Sequence, residues 1–241
     1  MVRIHSFESM GTFDGPGLRL VVFMQGCNFK CDYCANPDTI KRSGGRLVEK
    51  DEIVRRALSE KAFFGKRGGV TFSGGEPLLQ AADLLEVFQE LKEGGIHIVV
   101  DTNGAVMNDD VRRLLEYTDM VLLDVKGVDA AKHQALAKHR NEQVLKTAKY
   151  LEEVGIPVRL RCVMIRGRND SPEDIRLIGE TYRGLTNLDR VEVLPYHTYG
   201  VHKYEAMGWP YLLEGVKEHT PEEVDRLSEE FEKYFPNVWT Q

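Results

Sequence analysis

Three of the four cysteines fall within eight residues, in Cys27-Asn28-Phe29-Lys30-Cys31-Asp32-Tyr33-Cys34. A C-x3-C-x2-C loop can turn three thiolates toward one centre, and thiolates are the ligands that iron–sulfur clusters use. Three ligands on a four-iron cluster leave one iron open to bind a small molecule. A structural zinc site would want a fourth ligand. Cys162, His5 and His197 are the conceivable ones, and nothing in their spacing selects any of them. Cys162 lies in the apolar run 158–164, where alternation groups it with Val158, Leu160 and Met164 and sets Arg159, Arg161 and Val163 on the opposite face. That is the position of a core thiol.

Other reactive side chains recur at the ends of apolar runs. Leu18–Gln25 leads into Gly26-Cys27, and Gly69–Phe72 into Ser73-Gly74-Gly75-Glu76. Ile96–Asp101 continues into Thr102-Asn103-Gly104, Met120–Val125 into Lys126, and Val191–Leu194 into Pro195-Tyr196-His197. Val158–Ile165 completes a set of six candidate strands. In parallel α/β folds ligands bind at the carboxyl ends of strands, so five polar ends on one face point to a pocket.

Helices must connect these strands. The 3.6-residue period predicts them over Lys50–Phe63, Leu78–Glu93, Asp109–Glu116, Glu142–Val154, Pro172–Thr181 and Pro221–Tyr234. Ser171-Pro172 and Thr220-Pro221-Glu222-Glu223 are N-terminal caps, and Gly94-Gly95 and Gly155 are stops. Six βα units in series give an α/β fold with a parallel sheet and helices outside, too few for a closed eight-stranded barrel. No linker, repeat or low-complexity tract interrupts residues 1–241, so a single domain is expected.

Composition narrows the function class. The chain has 241 residues, 42% hydrophobic and 29% charged, with a net charge of −6. No basic excess is present to grip a nucleic-acid backbone. No apolar run approaches the ~18 residues that suggest a membrane span. Met1-Val2-Arg3-Ile4-His5 lacks the apolar core of a secretory signal, so a cytoplasmic protein follows by default. In that reducing compartment clustered thiols imply metal or redox chemistry rather than disulfides.

The C-x3-C-x2-C motif, with aromatic Tyr33 before its last cysteine, resembles the radical S-adenosylmethionine (SAM) superfamily. Ser73-Gly74-Gly75-Glu76-Pro77 looks like that superfamily's GGE motif at the expected second strand. The segment 11–19, with Asp14-Gly15-Pro16-Gly17, resembles the signature of glycyl-radical-enzyme activases. Asp101-Thr102-Asn103-Gly104, Leu123-Asp124-Val125-Lys126 and Leu194-Pro195-Tyr196-His197 are similar to the activases that act on pyruvate formate-lyase. The absence of further cysteine clusters agrees, since many other activases carry a ferredoxin-like insert. One departure is Ala35, where many relatives have His after the third cysteine; that position is not needed as a cluster ligand.

The resemblance implies a partial (βα)6 TIM-like barrel, one 4Fe–4S cluster on Cys27, Cys31 and Cys34, and SAM on the open iron. Reductive cleavage of SAM would yield a 5′-deoxyadenosyl radical that takes a hydrogen atom from a partner's glycine. It places Ser73, Gly74, Gly75 and Glu76 at the methionyl amino group and Lys126 at the SAM carboxylate. It sets Tyr33 and His197 at the adenine and ribose, and Val163 and Leu194 as an apolar wall. Asp101, Thr102 and Asp124 would line the site with a monovalent cation beside them. Asp14 and Arg161 would meet the substrate, with the D-G-P-G segment near the pocket mouth. The implied partners are a glycyl radical enzyme, with pyruvate formate-lyase foremost, and a flavodoxin or ferredoxin as electron donor. Lys41-Arg42 and Arg46 form a small basic patch that could greet such a donor. The protein is expected to be a monomer in anaerobic metabolism. An activase of another glycyl radical enzyme, a radical SAM enzyme with a small substrate, and a zinc-stabilised binding module are the rival readings.

Overall fold

The computed structural model describes residues 1–240. The chain packs as two compact units, Met1–Asn28 with Asp38–Leu122, and Phe29–Pro37 with Leu123–Gln241.

The first unit contains β1 (Val2–Gly11), β2 (Arg19–Met24), β3 (Arg46–Val48), α1 (Lys50–Phe64), β4 (Gly69–Gly74), α2 (Ala81–Glu93), β5 (His97–Thr102), α3 (Asp109–Leu115) and the start of β6 (Met120–Asp124). Its strands lie in the order β3-β1-β2-β4-β5-β6. β2, β4 and β5 run parallel, in the register Leu20↔Val70↔Ile98 and Val22↔Phe72↔Val100. All six of these side chains are fully buried. α2 lays Leu84, Val87, Phe88 and Leu91 into the same core, with the Phe88 ring 4.6 Å from that of Phe72. The expected helix from Leu78 starts three residues later. Glu76 accepts a hydrogen bond from the Leu78 N–H, Pro77 occupies the first position, and a 3-10 turn over Pro77–Gln80 precedes α2.

β1 and β3 are antiparallel to their neighbours and were not among the expected strands. The reason is visible in β1. Its pairing with β2 slips between Ile4 and Ser6 and again between Glu8 and Gly11, and Met10 takes a φ of 63°. Each slip breaks the two-residue period by which a strand is recognised in sequence.

The second unit holds the end of β6, α4 (Ala130–Ala137), α5 (Glu142–Glu153), β7 (Val158–Met164), α6 (Pro172–Tyr182), β8 (Leu188–Pro195), α7 (Val201–Met207), α8 (Pro221–Glu232) and β9 (Val238–Thr240). Here β7, β8 and β9 follow β6, with β7–β8 and β8–β9 parallel. The alternation expected in β7 is present: Val158, Leu160, Cys162 and Met164 are all fully buried. Burial pushes the Cys162 thiol well above its ordinary value, as for an inert core residue. Both expected N-terminal caps form, and each is a capping box: Ser171 with Asp174, and Thr220 with Glu223 as its sequence predicts. α4 and α7 were not among the expected helices. β9 adds three residues at the edge.

The α/β class is as expected, with a mostly parallel, open sheet. Among the described residues no helix is long and apolar enough to cross a membrane.

Candidate active site

In the first unit the ends of β2, β4 and β5 lie side by side. The Gly75 N–H donates to the Met24 carbonyl at 2.9 Å and the Glu76 N–H to the Gly26 carbonyl at 2.8 Å. The strand end after β4 therefore rests directly on the turn that carries Cys27. Both glycines are required for this contact. Gly74 has a φ of +99° and a Cβ there would stand 2.5 Å from the Met24 nitrogen; a Cβ on Gly75 would stand 2.2 Å from the Gly26 oxygen. The cysteine turn has its own anchors, with Gly26 N–H to Thr39 O at 2.7 Å and Cys27 N–H to Ile40 O at 3.1 Å.

Glu76 is fully buried. One carboxylate oxygen accepts from the Leu78 N–H (3.1 Å) and the Thr102 hydroxyl (2.7 Å), and the other from the Asn103 N–H (2.8 Å). Burial outweighs these bonds and pushes its carboxyl up to about 7. Ser73 donates to Asp101 at 2.6 Å. Ser73 with Asp101 and Glu76 with Thr102 are thus two hydrogen-bonded pairs on neighbouring strand ends. Asn103, bonded to Glu76, was missed as a site residue: its amide donates to the Asn28 oxygen at 2.8 Å and lies 3.9 Å from the Cys27 sulfur. Its place in the Asp101–Gly104 strand end was the available signal.

Asp14 lies against the middle of β4. Its carbonyl accepts from the Thr71 hydroxyl at 2.6 Å, and a Cβ on the adjacent Gly15 would meet Val99 at 3.3 Å. Arg19, fully buried, donates to the carbonyls of Pro16 (2.9 Å), Val70 (2.7 Å) and His97 (3.1 Å). The D-G-P-G turn is therefore pinned against the first residues and middle of β4 and β5, not at their carboxyl ends. Alternation places Thr71 and Ser73 on one face of β4, and that face carries the turn.

In the second unit Lys126 Nζ lies 2.8 Å from Asp124 and 5.6 Å from the centre of the Tyr33 ring. Lys126 is buried; burial opposes its charge, but Asp124, Tyr33 and Cys31 hold its ammonium well above the ordinary lysine value. Burial raises the Tyr33 hydroxyl and pushes the Cys31 thiol up to about 12. Cys27, Cys31 and Cys34 are half-buried and reduced, each within its own unit. Val163 and Leu194 are register partners on β7 and β8. Val163 packs, with Tyr33, on a core of Leu136, Ile165, Tyr196 and Leu213. His197 is not drawn into this group; it stands exposed after β8, its ring centre 4.6 Å from that of Tyr199. Arg161 lies 3.5 Å from Glu192, its register partner on β8. The acid facing Arg161 is thus a buried Glu in mid-strand. Ala35 is exposed and packs on Gly200, where a Cβ would come within 2.8 Å.

The donor set suits an iron–sulfur cluster. It consists of thiols alone, at the C-x3-C-x2-C spacing, in no disulfide. No three His, Cys, Asp or Glu side chains among the described residues are gathered on a single ion. Cysteines that bind three different irons of a cluster do not have to meet at one point.

Residues 21–178 match the Radical SAM superfamily. The chain is 44% identical over 230 residues to the pyruvate formate-lyase-activating enzyme of Staphylococcus epidermidis, covering 92% of each chain. It is 42% identical over 229 residues to that of Streptococcus mutans, covering 92% of this chain and 87% of the relative. The pyruvate formate-lyase 1-activating enzyme of Escherichia coli K12 is 41% identical over 235 residues and 96% of each chain. Among solved structures, a domain of pyruvate-formate lyase-activating enzyme from Bacteroides vulgatus superposes with a TM-score of 0.60 at 26% identity, over 72% of this chain and 99% of that one. Streptococcus suis SuiB bound to precursor peptide SuiA gives 0.73 over 93% of this chain and 49% of its own, and at 22% identity shows the fold alone.

Proposed function

Because the chain belongs to the radical SAM superfamily and, within it, to the pyruvate formate-lyase-activating enzymes, we propose that it installs a glycyl radical on pyruvate formate-lyase. The observation that carries this reading is identity of 41–44% along 92–96% of the chain, with the cysteine motif and the D-G-P-G signature inside it. The cofactors are one 4Fe–4S cluster on Cys27, Cys31 and Cys34, and SAM. When bound, the cluster supplies the electron that cleaves SAM to methionine and the 5′-deoxyadenosyl radical.

The protein's own residues bind, orient and exclude water. Ser73, Gly74, Gly75 and Glu76 present backbone carbonyls to the methionyl amino group, and the buried Glu76 keeps Thr102 and Asn103 in place beside them. Lys126 meets the SAM carboxylate as a point charge. Asp124 balances that charge until the ligand arrives. Tyr33 and His197 take the adenine and ribose, and Val163 and Leu194 line the apolar side. Asp101 and Thr102 complete the polar end, with a monovalent cation beside them and Asp124. Asp14 and Arg161 orient the substrate glycine, whose lack of a side chain lets its backbone reach deep into a pocket. The reading includes a flavodoxin or ferredoxin as donor, and a cytoplasmic monomer of one domain working in anaerobic metabolism.

The test is anaerobic reconstitution followed by EPR with SAM and pyruvate formate-lyase. A glycyl radical doublet and one 5′-deoxyadenosine per radical are expected. A radical on another glycyl radical enzyme alone would change the partner, and consumption of a small metabolite with no glycyl radical would defeat the activase reading. Replacing sodium by potassium should alter SAM affinity; indifference removes the cation.

A further inference from the structure

The cysteine loop is gripped twice within the second unit. Its first half rests on the end of α4, where the carbonyls of Leu136 and Ala137 accept the N–H groups of Asp32 (2.9 Å) and Lys30 (3.2 Å). Its second half meets residues 200–209, which hold α7 with its caps Gly200 and Gly208. Three consecutive loop residues are met there. The Tyr204 hydroxyl donates to the Cys34 carbonyl at 3.2 Å. Gly200 lies so close to the Ala35 backbone that a Cβ would stand 2.8 Å from the Ala35 Cα. Lys203 Nζ donates to the Asn36 side-chain oxygen at 2.7 Å.

α7 is poorly provided to hold itself in place. Its N-cap Gly200 offers no capping side chain, and among the described residues of the helix Tyr204 alone is buried. The Tyr204 ring packs edge-on against Tyr211, with centroids 4.9 Å apart at 68°. The Tyr211 hydroxyl in turn shares a 2.6 Å hydrogen bond with that of Tyr196, a core residue directly after β8. One side chain thus ties the helix to the end of the sheet through its ring and to the third cysteine of the motif through its hydroxyl.

Resting on the iron–sulfur reading above, we propose that Tyr204 is a positioning residue for the cluster, fixing Cys34 through its carbonyl while Gly200 and Lys203 hold the two residues that follow. It acts through Cys34 and not on the reacting atoms. Partners that orient a metal ligand change metal affinity by about 10–100-fold when they are removed. Hydrogen bonds and solvent exposure around the thiolates also tune a cluster's potential. The hydroxyl turns its positive end toward the Cys34 peptide, so its loss makes the more negative, reduced cluster harder to form.

The experiment uses the full chain reconstituted anaerobically. It measures iron release to a chelator, the EPR spectrum and midpoint potential of the reduced cluster, and denaturant unfolding of the apo-chain. Tyr204→Phe keeps the ring and removes the hydroxyl. It should release iron about tenfold faster, shift the EPR spectrum and lower the potential, with an apo-chain unfolding midpoint near that of the wild type. Gly200→Ala adds a Cβ where the backbone, at φ −82° and ψ −8°, accepts alanine freely, so it disturbs the contact with Ala35 alone and should also hasten release. Gly184→Ala, whose Cβ would meet nothing within 4 Å, and Tyr211→Phe, which removes the hydroxyl bonded to Tyr196, should match the wild type. Unchanged release and potential in Tyr204→Phe overturn the proposal. An equal effect in Tyr211→Phe overturns it too, because any loosening of the aromatic group would then suffice. So does faster release that follows a loss of apo-chain stability with spectrum and potential unmoved, since Tyr204 would then only support the fold. A wild-type chain that takes up no iron overturns the iron–sulfur reading and this proposal with it, whereas iron in the wild type with indifferent Tyr204→Phe overturns this proposal alone.

Discussion

Glu76 and Glu192 are the two most deeply buried carboxylates, one in each unit, and they are held in opposite ways. Glu76 meets only neutral donors, two backbone N–H groups and a hydroxyl, from its own turn and from the end of β5. Glu192 is surrounded by guanidinium groups. One oxygen accepts from Arg190 at 2.6 and 2.9 Å and lies 3.4 Å from Arg159, and the other is 3.5 Å from Arg161. Arg159 also pairs with Asp189 at 2.7 Å. Three guanidinium groups thus gather around Glu192 and Asp189. A buried carboxylate bound by neutral groups shapes backbone and can be protonated. One bound by cations gathers and aims them, and its removal leaves like charges facing each other.

The sharpest way to break this contrast is Glu192→Ala. It removes the acid that three guanidinium groups share and should cost about 3–5 kcal/mol in denaturant unfolding. Glu192→Gln keeps the shape and should cost less while weakening the hold on Arg161, read as a higher KM for the protein substrate at unchanged SAM affinity. A loss below 1 kcal/mol in Glu192→Ala would show that the ion group is merely a surface network.

Glu76→Gln comes next. It replaces an acceptor by an amide N–H facing donors, and should cost about 1–3 kcal/mol together with altered geometry at Thr102 and Asn103. It should also change the pH profile. The folded carboxyl is raised from the ordinary 4.5 to about 7, so the native state holds its proton more tightly than the unfolded chain. The stability it contributes is full below about 4.5, declines as pH rises through 4.5–7, and levels off above that. Glu76→Gln should remove this slope from unfolding curves. An identical slope in the variant would place the titration elsewhere.

Gly75→Ala tests whether the Glu76 turn and the cysteine turn act as one body. The added Cβ must displace the Gly26 carbonyl, so reconstituted iron content should fall while Cys162→Ala leaves it intact. The smallest effect belongs to the rim of the Glu192 group. Arg190→Lys keeps the charge but loses the planar stack 4.8 Å over Trp239, and should cost about 0.5–1 kcal/mol.

Much of the site was legible because it is local. The Cys27, Cys31 and Cys34 motif is read from spacing alone, and Gly26, Gly74 and Gly104, all at positive φ, mark the turns that follow the strands. Cys162 was assigned to the core by alternation, and the Thr220–Glu223 capping box by its four-residue pattern. β1 was not legible because its two register slips erase its period. α4 was not, because eight residues without an apolar stripe carry no periodic signal.

The sequence by itself determined which residue types sit at each strand end, and so the family and the chemistry. Only the tertiary structure decided the partners: Asn103 beside Cys27, Glu192 beneath Arg161, the D-G-P-G turn against Thr71 and Val99, and the end of α4 on the cysteine loop. Chain-local conformation depends on a few neighbouring residues and is written in their order. Which buried charge meets which depends on strand register and on segments tens of residues apart, where packing and the need to satisfy every buried polar group make the choice.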